Sequence, residues 1–323
     1  MTEPNSNLPN LNTITEEFIT MMEKQDSPPL YKLTPNKARE VINELQHKYQ
    51  YNIPAKVSDM TIFVEPNQHI KIRMARPLNT QGKLPVIIYI HGGGWVIGNE
   101  ESYDRIIRQI AVSTNSTVIF PIYSLSPEAK YPKALNEIYS IFEYIYDSPE
   151  QFNIDRNHIA IAGDSAGANM ATVTAIRAKN KRGPKICFQC LFYPVTNIDM
   201  DTKSYGLFKD GPWLSKNAME WFFEAYVPRN LRDDIYISPL KSPVEDLEGL
   251  PATLIITAEN DVLRDEGEAY GRKLESAGVN VLNIRVNGTI HDFIMLNALA
   301  ESQPAKGVLE LACNMLKNAL YEN

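Results

Sequence analysis

Apolar residues follow two rhythms along the chain. Runs at 86–90, 117–123, 158–163, 186–193, 254–257 and 281–286 have the length and continuity of buried strands. Between them, 102–114, 132–146, 166–180 and 266–277 carry helical spacing, and 306–320 predicts a closing helix. Strands alternating with helices imply an α/β architecture, a mostly parallel central sheet with helices on both faces. Two segments break the alternation. Helical stretches at 15–24 and 35–49 precede any core strand and have to pack outside the sheet. The stretch 196–238 is rich in aromatics: Tyr205, Phe208, Trp213, Trp221, Phe222, Phe223 and Tyr226. These segments are the candidates for a helical cap. The expected division is an N-terminal helical cap segment over 1–50 and a catalytic domain over 51–323, with a cap insertion at about 196–238.

Composition narrows the function. With 44% hydrophobic and 22% charged residues, the 323-residue chain can bury a sizeable core. Its 32 basic against 39 acidic side chains give a net charge of -7, which repels phosphate backbones and anionic membranes. Nucleic acid is therefore excluded as an expected partner. No apolar stretch approaches the roughly 20 residues of a membrane span, and the first thirty residues lack both a basic start and an apolar run. A cytoplasmic location is expected, and oligomeric state is left open. Cys187, Cys190 and Cys313 are too few for a disulfide framework. Although Cys187 and Cys190 spell C-x-x-C, on a strand residues three apart point to opposite faces, which argues against a redox or metal pair. The acidic run from Asn197 to Asp201 is not a calcium loop, because Thr202 and Phe208 stand where glycine and the bidentate Glu belong.

The strongest chemical signal is Gly163-Asp164-Ser165-Ala166-Gly167, between an apolar strand and an Ala-rich helix. A strand turning sharply into a helix strains its middle residue and exposes the hydroxyl, and small flanking residues let the turn close. The helix start then directs free N–H groups and its positive dipole end at the place where negative charge develops. A second signal, His91-Gly92-Gly93-Gly94-Trp95, directly follows the strand 86–90. Three glycines in succession are costly to order, so some close approach has to require them. A loop without Cβ atoms can turn its N–H groups inward as an oxyanion hole. Gly93 and Gly94 are the expected donors, joined by Ala166, with His91 bracing the loop and Gly92 supporting it. A phosphate loop is a poorer reading, since no Gly-Lys-Ser/Thr follows.

Ser165 needs a base. Of five histidines, His158 begins its strand at the far edge of the sheet, His91 belongs to the glycine loop, and His47 and His69 precede the first core strand. His291 follows the strand 281–286 across a glycine-containing loop, which places it at the carboxyl edge beside Ser165, where open α/β sheets bind ligands. Two acids, Glu259 and Asp261, follow the strand 254–257. Asp261 is favoured because the loop has to carry the acid past the strand end. The resulting order Ser, Asp, His is the one used by α/β hydrolases.

The chain thus resembles the hormone-sensitive-lipase-like branch of the α/β hydrolases, and within it the bacterial acetyl esterases. The resemblance rests on His91 to Trp95 with Gly98-Asn99, on Tyr123 to Glu128 leading into Tyr131-Pro132, and on Gly163 to Gly167. Asp261 to Glu266 and Gly288 to Phe293 complete it, so it spans most of 85–300. It implies an α/β-hydrolase fold with a helical cap, and a serine carboxylesterase acting on short-to-medium acyl esters. It further implies catalytic Ser165, Asp261 and His291, an oxyanion hole from the glycine loop and Ala166, and neither cofactor nor metal. Glu128 is expected to anchor a loop beneath the site. The chain departs from the pattern at Ala168, Val262 and Asp292, where the family commonly has Gly, Pro and Gly. Asp292 is the departure that adds charge beside the base. Trp95 and the cap aromatics are expected to form an apolar wall around the acyl group.

Overall fold

A computed structural model describes residues 10–25, 27–64 and 68–322. Two helices come first, α1 (Thr13–Glu23) and α2 (Pro35–His47). Each has a side-chain cap: Asn12 accepts from the Thr15 N–H, and Thr34 accepts from the Lys37 N–H with Pro35 in the first turn. The first nine residues of the expected cap segment lie outside the described residues.

The chain then forms β1 (Ala55–Val64), β2 (Gln68–Pro77), β3 (Leu84–Ile90), α3 (Asp104–Thr114), β4 (Thr117–Ile122), α4 (Lys133–Asp147), α5 (Pro149–Phe152), β5 (Ile154–Asp164), α6 (Ala166–Asn180) and β6 (Phe188–Phe192). After the short helices α7 (Lys203–Leu207) and α8 (Lys216–Tyr226), the fold closes with β7 (Ala252–Asn260), α9 (Arg264–Ser276), β8 (Val281–Ile290) and α10 (Gln303–Tyr321). The eight strands form one sheet in the order β1-β2-β4-β3-β5-β6-β7-β8. β3 pairs in parallel with both β4 and β5, and the parallel pairing continues to β8.

All seven residues of β3 are buried, which is why the run is apolar without alternation. Its alternate residues feed two cores. Val86, Ile88 and Ile90 join Ile159 and Ile161 against the α4 and α6 side, while Ile87 and Tyr89 join Ala160 and Ala162 against the α3 and α10 side. The strand order reverses around β3, creating a crevice at the carboxyl ends of the strands.

The antiparallel hairpin β1–β2 is an addition to the expected sheet. In the edge strand β1 half-buried and exposed positions intermix, and β2 buries Ile70, Ile72 and Ala75 between polar residues, so the segment lacks a continuous apolar run. β8 also runs further than expected. It reaches Ile290, so His291 follows a strand with an irregular register rather than a loop, and Gly288 at φ +71° sits inside that strand.

Candidate active site

Ser165 joins β5 to α6 at φ +52° and ψ -119°, the left-handed half of backbone space where an L-residue is strained. Its N–H donates to the Phe192 carbonyl at 2.8 Å, tying the turn to β6. The flanking glycines let the helix approach the sheet. A Cβ on Gly163 would lie 2.6 Å from the Gly167 carbonyl carbon, and one on Gly167 would collide with the Ile90 carbonyl. Ser165 is buried and stands at the N-terminal end of α6.

The base and acid arrive from neighbouring strands. His291 Nε2 lies 2.9 Å from Ser165 Oγ, and His291 Nδ1 lies 2.7 Å from Asp261 Oδ2. Asp261 Oδ1 accepts the Leu263 N–H at 3.0 Å, so the carboxylate is oriented from both sides. Burial disfavours the imidazolium, but the charges of Asp261 and Asp292 and the Asp261 hydrogen bond outweigh it, raising the His291 pKa to about 9. Glu259, the alternative acid, points elsewhere and accepts the Gly288 N–H at 2.7 Å.

The glycine loop lies beside Ser165. Gly93 and Gly94 have φ of +84° and +58°, and among the described residues their N–H groups find no acceptor inside the protein. The Ala166 N–H is the first of its helix and therefore free of intrahelical bonding. His91 braces the loop as expected: Nδ1 lies 2.9 Å from the Gly92 carbonyl, and the ring stacks on Tyr123 at 4.2 Å. Burial lowers its pKa to about 4, against the Gly92 bond, so it is neutral.

Asp164 was not among the expected functional residues. It is fully buried, and its Oδ1 accepts the Gly92 N–H at 3.1 Å and the Tyr89 hydroxyl at 3.0 Å. Its Oδ2 accepts the Tyr103 hydroxyl at 2.8 Å. One carboxyl thus couples the nucleophile turn to the glycine loop. Desolvation, with the charge of Asp292, raises its pKa to about 7, and the three donors oppose that rise. The only sequence trace of this role is an acid at the end of an apolar strand.

A pocket of about 480 Å³ opens on Ser165, His291, Gly93 and Gly94. Its walls come from α1, α2, α8 and the connection before α8, including Ile19, Leu45, Trp213, Met219 and Phe222. A larger hollow of about 750 Å³, lined by His158, Arg182 and Pro251, lies at the opposite edge of the sheet and contains none of these groups. Trp95 does not line the acyl pocket. It is fully buried and stacks on Tyr226 at 4.2 Å and 3°, so it docks α8 on the glycine loop instead of forming the pocket wall. Glu128 is more than half exposed and engages Arg39 of α2 through both oxygens, at 2.8 and 2.7 Å. Arg39 in turn holds the carbonyls of Val96 and Ser126, so Glu128 reaches the loop only through that guanidinium. His47 and His69 are exposed, and His158 pairs with Asp155 at 2.8 Å.

Comparison with known proteins identifies the fold and the family. A family model described as an alpha/beta hydrolase fold matches residues 87–295. An alpha/beta hydrolase of Acanthamoeba polyphaga mimivirus is 40% identical, over 97% of this chain and 90% of its own. A carboxylesterase of Mycobacterium tuberculosis is 31% identical, over 80% of this chain and 81% of its own. The crystal structure of a thermostable esterase from Pseudomonas putida superimposes with a TM-score of 0.95 at 39% identity, covering 97% of this chain and 98% of that one. These matches reach a virus as well as bacteria, so they support the branch without singling out its bacterial acetyl esterases. The chain belongs to the alpha/beta hydrolase fold family, in its hormone-sensitive-lipase-like branch, and is a carboxylic ester hydrolase.

Proposed function

We propose that the chain hydrolyses short-to-medium acyl esters with Ser165 as nucleophile, His291 as general base and acid, and Asp261 as the group that orients it. The observation that carries this reading is the unbroken line of contacts from Asp261 Oδ2 through both ring nitrogens of His291 to Ser165 Oγ, at 2.7 and 2.9 Å. His291 Nε2 removes the hydroxyl proton as Oγ attacks the ester carbonyl. The tetrahedral oxyanion is held by the N–H groups of Gly93, Gly94 and Ala166. Collapse expels the alcohol, which takes its proton from His291. Water then repeats the cycle on the acyl-enzyme and releases the acid. Asp261 keeps Nδ1 protonated and stabilises the imidazolium that forms in each half-reaction.

His91, Gly92 and Glu128 support the oxyanion loop. The helical segment within 1–50 and the insertion at 196–238 form the cap that closes the pocket over a catalytic domain of 51–323. A volume of about 480 Å³ lies at the small end of ligand pockets, which favours compact acyl groups. No helix of the described residues is long and apolar enough to cross a membrane. The three unpaired cysteines fit a cytoplasmic location. The test is hydrolysis of nitrophenyl esters from acetyl to long-chain acyl by wild type and Ser165→Ala. Turnover that peaks at short chains and vanishes with the substitution is expected. Activity that survives the substitution would overturn the assignment of the nucleophile.

A further inference from the structure

Three acids line the pocket without taking part in the acyl-transfer steps, and one of them, Asp292, faces the base. Asp292 follows the base at φ +65°, in the left-handed region that aspartate tolerates better than most residues. Trp213 Nε1 donates to its Oδ2 at 2.9 Å, while its Oδ1 stands 3.5 Å from His291 Nε2. That is the nitrogen facing Ser165 Oγ. The Asp292 side chain is 21% exposed and borders the pocket. The carboxylate is therefore both fixed and aimed at the space a substrate has to occupy. Among the described residues, neither lysine nor arginine lines this pocket, and the other ionised groups at its rim, Glu23 and Asp210, are also acids. Of the three, Asp292 is the one that stands against the base, and in the reactive form, with His291 neutral, no lysine or arginine of the lining offsets its charge.

Building on the esterase reading above, we propose that Asp292, locked by Trp213, is a specificity-determining residue that makes the pocket select esters by charge. Esters that are neutral or cationic beyond the carbonyl are accepted, and esters with a carboxylate near the scissile bond are disfavoured. The oxyanion escapes this penalty because the imidazolium of His291 forms at the same moment, in contact with Asp292. A permanent charge on the substrate has no such compensation. With an effective dielectric constant of about 20, unit charges roughly 12 Å apart change an equilibrium about tenfold, and closer approach changes it more.

The experiment compares kcat/KM for two shape-matched pairs in wild type and Asp292→Asn. Acetylcholine is set against 3,3-dimethylbutyl acetate, and 3-acetoxypropanoate against 3-acetoxypropanamide. The asparagine keeps an oxygen for Trp213, and each neutral ester serves as the internal reference, so any change in basal rate cancels from the ratios. Wild type is expected to favour the cation and disfavour the anion relative to their neutral partners. In Asp292→Asn the cation-to-anion preference should fall at least tenfold. Trp213→Phe, which frees the carboxylate to swing away, should reduce the preference to a smaller extent. Charge ratios equal in wild type and Asp292→Asn, with the neutral esters still turned over, would overturn this inference alone. Failure of wild type to hydrolyse either neutral ester would overturn the esterase reading and this inference together.

Discussion

Gly93→Ala isolates the oxyanion loop from the catalytic side chains. A Cβ at this position would collide with the Ile97 carbonyl oxygen and lie 2.8 Å from the carbonyl carbon and from Cγ1. The obstacle is mainly backbone, and it is the backbone of the same turn, since the Gly93 carbonyl accepts the N–H groups of Val96 and Ile97 at 3.0 and 2.9 Å. The turn therefore has to open, and the Gly93 and Gly94 N–H groups move with it. Losing one oxyanion donor costs about 2.7–4 kcal/mol of transition-state stabilisation, or about 10²- to 10³-fold in kcat. KM should change little, because the donors engage charge that exists only in the transition state. The substitution also strains the backbone, at φ +84°, by about 1–2 kcal/mol and should lower the melting temperature by a few degrees. Gly249→Ala supplies the control. It too sits at positive φ, +72°, but has nothing within 4 Å of its Cβ and borders the hollow at the far edge. It should lose only the stability that the φ strain costs and keep its kcat. Steady-state kinetics on a nitrophenyl ester with thermal melts decides the matter. A folded Gly93→Ala protein with kcat within threefold of wild type, or with only KM raised, would refute the reasoning.

Asp261→Asn should leave the protein folded and lower kcat about 10⁴-fold, because the amide presents the wrong group to Nδ1 and selects the wrong tautomer; stopped-flow or long-time esterase assays measure it. The base has to be unprotonated to accept the Ser165 proton, so kcat/KM should rise with pH through the His291 pKa, raised to about 9 by Asp261 and Asp292 against burial. A pH–rate profile is expected to show this limb well above the roughly 6.5 of free imidazole, and Asp292→Asn, which removes a negative charge, should move it downward. Glu128→Ala should cost no more than about 1 kcal/mol in a denaturant melt, because its side chain is 58% exposed. Arg39→Ala should cost more, about 2 kcal/mol, since it also strips hydrogen bonds from the Val96 and Ser126 carbonyls beneath the glycine loop.

The elements that were legible in the sequence are those governed by local rules. The helix 166–180 appears with its expected bounds because an Ala-rich run follows a turn motif with no competing signal. The parallel strands were legible because burial on both faces demands apolar runs. The hairpin β1–β2 was not, because its two strands bury only part of their side chains and intersperse them with Lys, Asp, Thr and Arg. The end of β8 was hidden by Asn287 and Gly288, which read as a loop but are carried through by pairing with β7 near Asn260. At the site, the Ser, Asp and His positions followed from strand ends and motif spacing. Asp164 and Trp95 did not. Their partners, Tyr103 and Tyr226, lie 61 and 131 residues away, and nothing local states whether an aromatic beside a glycine loop faces the substrate or the cap.

The backbone itself points to the same place. Among the described residues other than glycine and asparagine, a positive φ occurs at Trp95, Ser165, Arg182, Tyr193, Met200, Trp213 and Asp292. Asparagine tolerates this conformation, and at Asn115 and Asn153 it ends helices. Aspartate shares this tolerance, but bulky residues do not, and strained residues persist only where their surroundings over-determine them. The surroundings are visible in each case at the site. Ser165 is pinned by the Phe192 carbonyl, Trp95 by the stack on Tyr226, and Tyr193 by its N–H bond to Ile256. Trp213 and Asp292 pin each other through the indole N–H. Ser165, Trp213 and Asp292 line the pocket, Tyr193 packs against the His291 ring at 4.7 Å, and Trp95 belongs to the glycine loop, so five of these seven residues gather around the site. Each strained position aims a side chain or an N–H group that relaxed backbone would direct elsewhere. A sheet buried on both faces provides the rigid frame that keeps them there. Relaxing any one of them should consequently alter turnover more than it alters stability, which separates them from Arg182 at the far edge.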